Sequence, residues 1–220
     1  MSVQGFSRSD SLRFGWETMK QNFGLSVGVA VAAAAAYFLA SGLTQAAEGV
    51  PALATVFAIA TNLVQVLFAM IWIRLALLLH DARAVRVRDL LPSGIVFLNY
   101  LAVSILYGLL VGVGLLLLIV PGVYLAIRYG LAGFLVVDGK TDALGAFSRS
   151  AQLTRGARGS LFVLLLALLG MNLLGLLVFG VGLLFTIPAT AYALARAYRQ
   201  LEQRAELVVE PQAVQVVAPA

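Results

Sequence analysis

The sequence predicts an all-α integral membrane protein: six transmembrane helices paired as three hairpins, with amphipathic interfacial helices before the first and fifth. Three observations predict this. Of the 220 residues, 61% are hydrophobic and only 11% charged, with a mean hydropathy of +0.97, whereas soluble domains are about half apolar and about a quarter charged. Apolar blocks long enough for the roughly 20 residues that a bilayer span needs recur along the chain. Lys and Arg cluster in alternate connections between those blocks.

Residues 1–22 form the first expected element, a cytoplasmic amphipathic segment. Leu12, Trp16, Met19 and Phe23 recur at helical spacing with Arg13, Glu17 and Lys20 on the other side, and Asp10 is a candidate N-cap. The first span, 23–47, is too long for a signal-peptide core, and Gln45-Ala46-Ala47 is a poor cleavage site, so it is read as a retained helix. A turn at Glu48-Gly49-Val50-Pro51 leads to the second span, 52–79.

Between 95 and 137 only Arg128 is charged, and the block is too long to cross once. A turn at Gly112-Val113-Gly114 divides it into spans 94–111 and 115–137. Next comes the second interfacial helix, with Leu144, Phe147, Ala151 and Thr154 opposed to Arg149, Gln152 and Arg155, and Asp142 as N-cap. A turn at Gly180-Val181-Gly182 then separates spans 159–179 and 183–201. Shifting the chain by 68 residues overlays Gly112, Gly114, Ile119, Tyr124 and Arg128 on Gly180, Gly182, Ile187, Tyr192 and Arg196, which reads as an internal repeat. The tail, 202–220, is expected to be cytoplasmic, helical up to Pro211 and poorly ordered beyond it.

Charge sets the orientation. Arg8, Arg13 and Lys20 precede the first span, and Arg83, Arg86 and Arg88 follow the second. Lys140, Arg149, Arg155 and Arg158 lie between the fourth and fifth, and Arg199 and Arg204 near the end. The opposite connections carry only Glu48. Both termini are therefore expected in the cytoplasm. The formal charge of +5 is read as topological, with no nucleic-acid partner. With no cysteine, thiolate chemistry is excluded.

Ionisable residues inside spans are the functional candidates. Arg128 and Arg196 each follow their glycine turn by fourteen residues, about 21 Å along a helix; Arg74 lies just before His80. The three arginines either snorkel to headgroups or form a shared pocket for a lipid phosphate, with Asp138 a candidate partner. Arg149 and Arg155 are candidate anchors to acidic headgroups. Pro121, Gly122 and Pro188 are candidate helix kinks. No mid-span carboxylate is present to serve as the proton relay of an ion-coupled carrier. His80 and Asp81 make no zinc site, and neither a Gly-x-Ser-x-Gly elbow nor a phosphate loop appears. The expectation is a non-enzymatic protein with no metal and no cofactor, whose partners are membrane lipids, another membrane protein or a second copy of itself. A small-solute or lipid transporter and a scaffold subunit are the alternatives.

The segments Pro121-Gly122-Val123-Tyr124-Leu125-Ala126-Ile127-Arg128, Val136-Val137-Asp138, Ala146-Phe147-Ser148-Arg149-Ser150 and Leu153-Thr154-Arg155-Gly156 form a recurring pattern. Arg13-Phe14-Gly15-Trp16 and Ala197-Tyr198-Arg199-Gln200-Leu201 extend it to both ends. The pattern resembles the YciC-like uncharacterised membrane proteins and the membrane domain fused to some bacterial glycerophosphodiester phosphodiesterases. The resemblance implies a bundle in the bacterial inner membrane, associated by analogy with lipid headgroups. No catalytic domain accompanies it here, so phosphodiesterase activity is not carried over.

Overall fold

The computed structural model describes residues 6–177 and 181–216, with side chains described as far as Leu207. The described residues form ten helices and no strand: α1 (Arg8–Gln21), α2 (Phe23–Ala46), α3 (Pro51–His80), α4 (Val87–Leu90), α5 (Gly94–Leu117), α6 (Ile119–Tyr129), α7 (Ala132–Val137), α8 (Ala143–Leu153), α9 (Arg158–Leu177) and α10 (Leu183–Val216). Among the described residues five stretches are long and apolar enough to cross a membrane: α2, α3, α5, Ile119–Val137 (α6 with α7) and α9. This is the composition of a multi-pass membrane protein.

Local chemistry explains several helix ends. Asp142 caps α8, its carboxylate accepting a hydrogen bond from the Gly145 N–H at 3.1 Å. In α1 the cap is Ser7, which accepts from the Asp10 N–H at 3.3 Å. Asp10, expected as the cap, instead occupies the first turn, where the helix dipole favours a carboxylate and where it can reach α10. Pro51 opens α3, at the position where a missing N–H costs no helical bond.

The second hairpin turns later than its glycines predict. α5 runs through Gly112 and Gly114 to Leu117, and the chain reverses at Leu118, in extended conformation. Gly114 is used for packing: a Cβ there would lie 2.9 Å from the Cα of Gly122 in α6. Pro121 and Gly122 consequently do not kink a long helix. Pro121 falls in the first turn of α6, where proline is tolerated, and Gly122 is the contact point with α5. The break in this stretch comes instead at Gly130-Leu131, between α6 and α7. α10 continues through both Pro188 and Pro211 to Val216. In the third hairpin Gly182 meets Gly175 closely; Gly180 and residues 217–220 lie outside the described residues.

The sixth expected span, 183–201, belongs to α10 and is not among the apolar stretches. The reason is composition, with Thr186, Pro188, Thr190, Arg196, Arg199 and Gln200 among its apolar residues, and its place in the fold suits those residues. Ala189, Tyr192, Ala193, Ala195, Ala197, Tyr198 and Leu201 are all buried, so protein surrounds this helix where lipid would surround an outer one. α1 packs along it, presenting Ser11, Gly15, Thr18 and Met19. Of the expected face of Leu12, Trp16, Met19 and Phe23, Met19 is buried and Leu12 packs half-buried against the core, whereas Trp16 and Phe23 are exposed. A side chain at Gly15 would meet the Ala189 carbonyl and come within 2.8 Å of the Ala193 Cβ. In α8 the buried face is Ala146, Phe147, Ser150 and Leu153, with Leu144 exposed.

The core lies at one end of the bundle, the end that carries the basic connections. Met70, Leu75, Leu135, Leu164, Tyr192 and Tyr198 are fully buried there. Toward the other end α2, α3 and the α5–α6 turn expose Phe38, Leu39, Ile59, Leu116 and Ile119.

Candidate functional site

Four residues of α10, Arg196, Tyr198, Arg199 and Glu202, project near the ends of α1, α3 and α7. Arg199 carries five N–H donors, and all five are used. Nε and Nη2 bond the two oxygens of Asp81 at 3.2 and 2.7 Å, Nη1 and Nη2 bond Asp138 at 2.7 and 3.0 Å, and Nη1 reaches Glu202 at 2.9 Å. One guanidinium thus ties the C-termini of α3 and α7 to α10. Tyr198 shares its one hydroxyl proton between Asp138 at 3.1 Å and Glu202 at 3.3 Å. Lys140 and Arg149 complete the shell of Glu202, at 3.3 and 3.9 Å. Three carboxylates and three cations balance, as burial requires.

A second link crosses from α1. Arg196 donates to Asp10 at 2.9 Å and to the Nε2 of His80 at 3.2 Å, with Phe14 stacked beneath its guanidinium. Arginine only donates, so Nε2 of His80 accepts; Nδ1 then carries the proton and donates to Asp81 at 3.1 Å. Burial pushes the Asp81 carboxyl up, but hydrogen bonds from His80 and Arg199 outweigh it and hold the group below the usual carboxylate range.

The arginines for which a shared pocket is one of two readings have separate surroundings. Arg196 is the ion-pair partner of Asp10. Arg128 lies over the Tyr129 ring, 5.2 Å from its centroid, with a buried Nε that has no partner; its carbonyl accepts from Ser150 at 3.0 Å and Thr154 at 3.3 Å, docking α8 onto α6. The partner sets of Arg128 and Arg196 share no residue. Arg74 is half-buried on α3. The repeat places its two tyrosines differently as well. Tyr192 is buried, hydroxyl to hydroxyl with Ser26 at 2.7 Å, while Tyr124 is exposed and accepts from Arg158.

No protein-family model, curated protein or solved structure matches the chain.

Arg149 and Arg155 do come together, on a cavity of about 970 Å³ between α8 and the end of α10. Gly139 and Gly156, both at positive φ, make the turns that frame α8. The cavity presents the cations Lys140, Arg149, Arg155 and Arg204 against the carboxylates Glu202 and Glu206, with the hydroxyls of Thr141 and Ser148 between them. Four cations against two carboxylates leave the cavity net basic, although Lys140 and Arg149 are shared with Glu202. Two of its cations, Lys140 and Arg204, read in the sequence only as charges that set the orientation. Lys140 follows α7 and Arg204 belongs to α10, and no spacing in the chain relates them. Among the described residues no group of three or more histidines and carboxylates is placed to hold a metal ion.

Proposed function

We propose that the protein is a non-enzymatic, multi-pass protein of the bacterial inner membrane that holds an anionic lipid headgroup in the basic cavity between α8 and α10. The observation that carries this reading is the convergence of Lys140, Arg149, Arg155 and Arg204 with two hydroxyls on one open cavity. Cationic and hydroxyl donors of this kind suit a phosphate. On this reading the chain forms three hairpins that each return to the cytoplasmic side. Both termini and every basic connection lie there, and α1 and α8 are the interfacial helices. The exposed Leu144 on α8 favours a phosphate carried by lipid over a free one, since it gives that helix an apolar contact with the bilayer. Arg74 and Arg128 remain secondary anionic contacts, and we read the chain as a relative of the YciC-like proteins. The absence of enzymatic activity is inferred from His80, the only histidine, which has both ring nitrogens engaged in the charge network.

Native mass spectrometry of protein extracted in mild detergent tests the headgroup site. Phosphatidylglycerol or cardiolipin should be retained over phosphatidylethanolamine. Replacing Arg149 and Arg155 together by Ala should weaken retention about tenfold or more, each basic residue near an anionic surface contributing about 1 kcal/mol. Competition by inorganic phosphate alone, with no lipid retained, would identify a soluble anion instead. Retention that ignores headgroup charge and survives the double substitution would sink the proposal.

A further inference from the structure

α1 accompanies α10 over almost the whole stretch expected to form the sixth span, and runs antiparallel to it. The Ser7 N–H bonds Gln200 at 3.1 Å, Asp10 pairs with Arg196 at 2.9 Å, Gly15 sits against Ala189 and Ala193, and Phe23 stacks on Phe185 with 5.3 Å between ring centroids. The side of α1 turned away from α10 is polar apart from Trp16, whose exposed ring carries Lys20 over its face at 5.3 Å. Arg8, Ser9, Arg13, Glu17, Lys20 and Gln21 are all exposed. α9 packs against α10 as well, and what it exposes is apolar: Phe162, Val163, Leu166, Leu169, Leu173 and Leu177. These three helices together therefore present one face suited to water and another suited to hydrocarbon.

An α10 that crossed the bilayer would draw α1 in beside it. The 14 residues of α1 extend for about 20 Å, most of a leaflet and more. Arg13, Glu17, Lys20 and Gln21 would then face lipid tails, each at a cost that confines such residues to interiors, cavities or the interface. α1 cannot swing clear without abandoning the Gly15 contact and the Asp10–Arg196 pair. The turn joining α9 to α10 points the same way: residues 176–183, Leu-Leu-Val-Phe-Gly-Val-Gly-Leu, contain no polar side chain to meet a far headgroup layer, unlike the α2–α3 turn with Glu48. The α5–α6 turn is equally apolar but has no polar helix running beside it; the deciding element is α1.

We propose that the α9–α10 hairpin does not cross the membrane. It lies as a shallow insert in the leaflet at the basic end, with α1 on its water side and α9 in the acyl chains of that leaflet. Four crossings remain: α2, α3, α5 and the α6–α7 stretch. Both ends of the chain stay on one side, and the α8–α10 cavity keeps its place there.

The chain has no cysteine, so single cysteines report without background. Val181, Lys20, Glu48 and Arg88 are all exposed and suit Val181→Cys, Lys20→Cys, Glu48→Cys and Arg88→Cys. With a membrane-impermeant maleimide on sealed vesicles of either orientation, Lys20→Cys and Arg88→Cys should label from one side and Glu48→Cys from the other. Val181→Cys should label from neither until detergent is added. A nitroxide at position 181 should collide with oxygen and be shielded from a soluble nickel chelate. Labelling of Val181→Cys from the Glu48 side, chelate access to its nitroxide, or a Lys20→Cys that labels only in detergent would each overturn the proposal.

Discussion

Removing Arg199 would leave Asp81, Asp138 and Glu202 facing one another with Lys140 and Arg149 as the remaining cations. Loss of one partner from a buried, hydrogen-bonded charge cluster costs about 3–5 kcal/mol. Arg199→Leu should accordingly lower the thermal midpoint of the detergent-solubilised protein severely. Arg199→Lys should not restore it, because an ammonium cannot fork two carboxylates at once. The pH dependence follows from Asp81. Its pKa is lower in the folded chain than in the unfolded one, so its contribution to stability is complete above the unfolded value, about 4, and is lost as pH falls through the folded value. Melting curves of the protein and of Asp81→Asn should therefore differ at neutral pH and converge in acid. Of this network the chain shows only Asp138 as a candidate partner for an arginine and His80 beside Asp81. Arg199 reads as one more topological cation, and two of the three acids that bond it lie 118 and 61 residues away.

At the scale of elements, the apolar blocks and the Asp142 cap could be read directly, because each depends on neighbouring residues. The buried face of α1 could be read only at Met19. Periodicity searches for large apolar side chains, whereas α1 approaches α10 through Ser11, Gly15 and Thr18, residues chosen for how little they occupy. The second turn was misplaced for a related reason: Gly114 and Gly122 are close-approach points between two helices, and glycine signals both uses alike. A direct consequence is that Gly15→Ala should destabilise the protein by about 1–3 kcal/mol, the usual cost of forcing an atom into a filled contact. Gly28→Ala, with open space around its added methyl, should cause no loss. Paired melts of the two variants separate packing from helix propensity, which favours alanine at both sites.

For the whole molecule, composition announced a membrane protein, and the all-helical bundle with five membrane-length apolar stretches agrees. What composition could not reveal is how unevenly the mass is distributed along the bundle. The core, the charge network, α1, α8 and the basic cavity all belong to one end. The other end is made of the α2–α3 and α5–α6 hairpins, with their apolar side chains exposed. With α9 and α10 also confined to the basic end, as proposed, the cross-section is broad in one leaflet and narrow in the other. Such a wedge strains a flat bilayer and fits where the wide leaflet is already stretched. The molecule would collect at membrane bent toward its broad side, sorted there by shape with no further contact required.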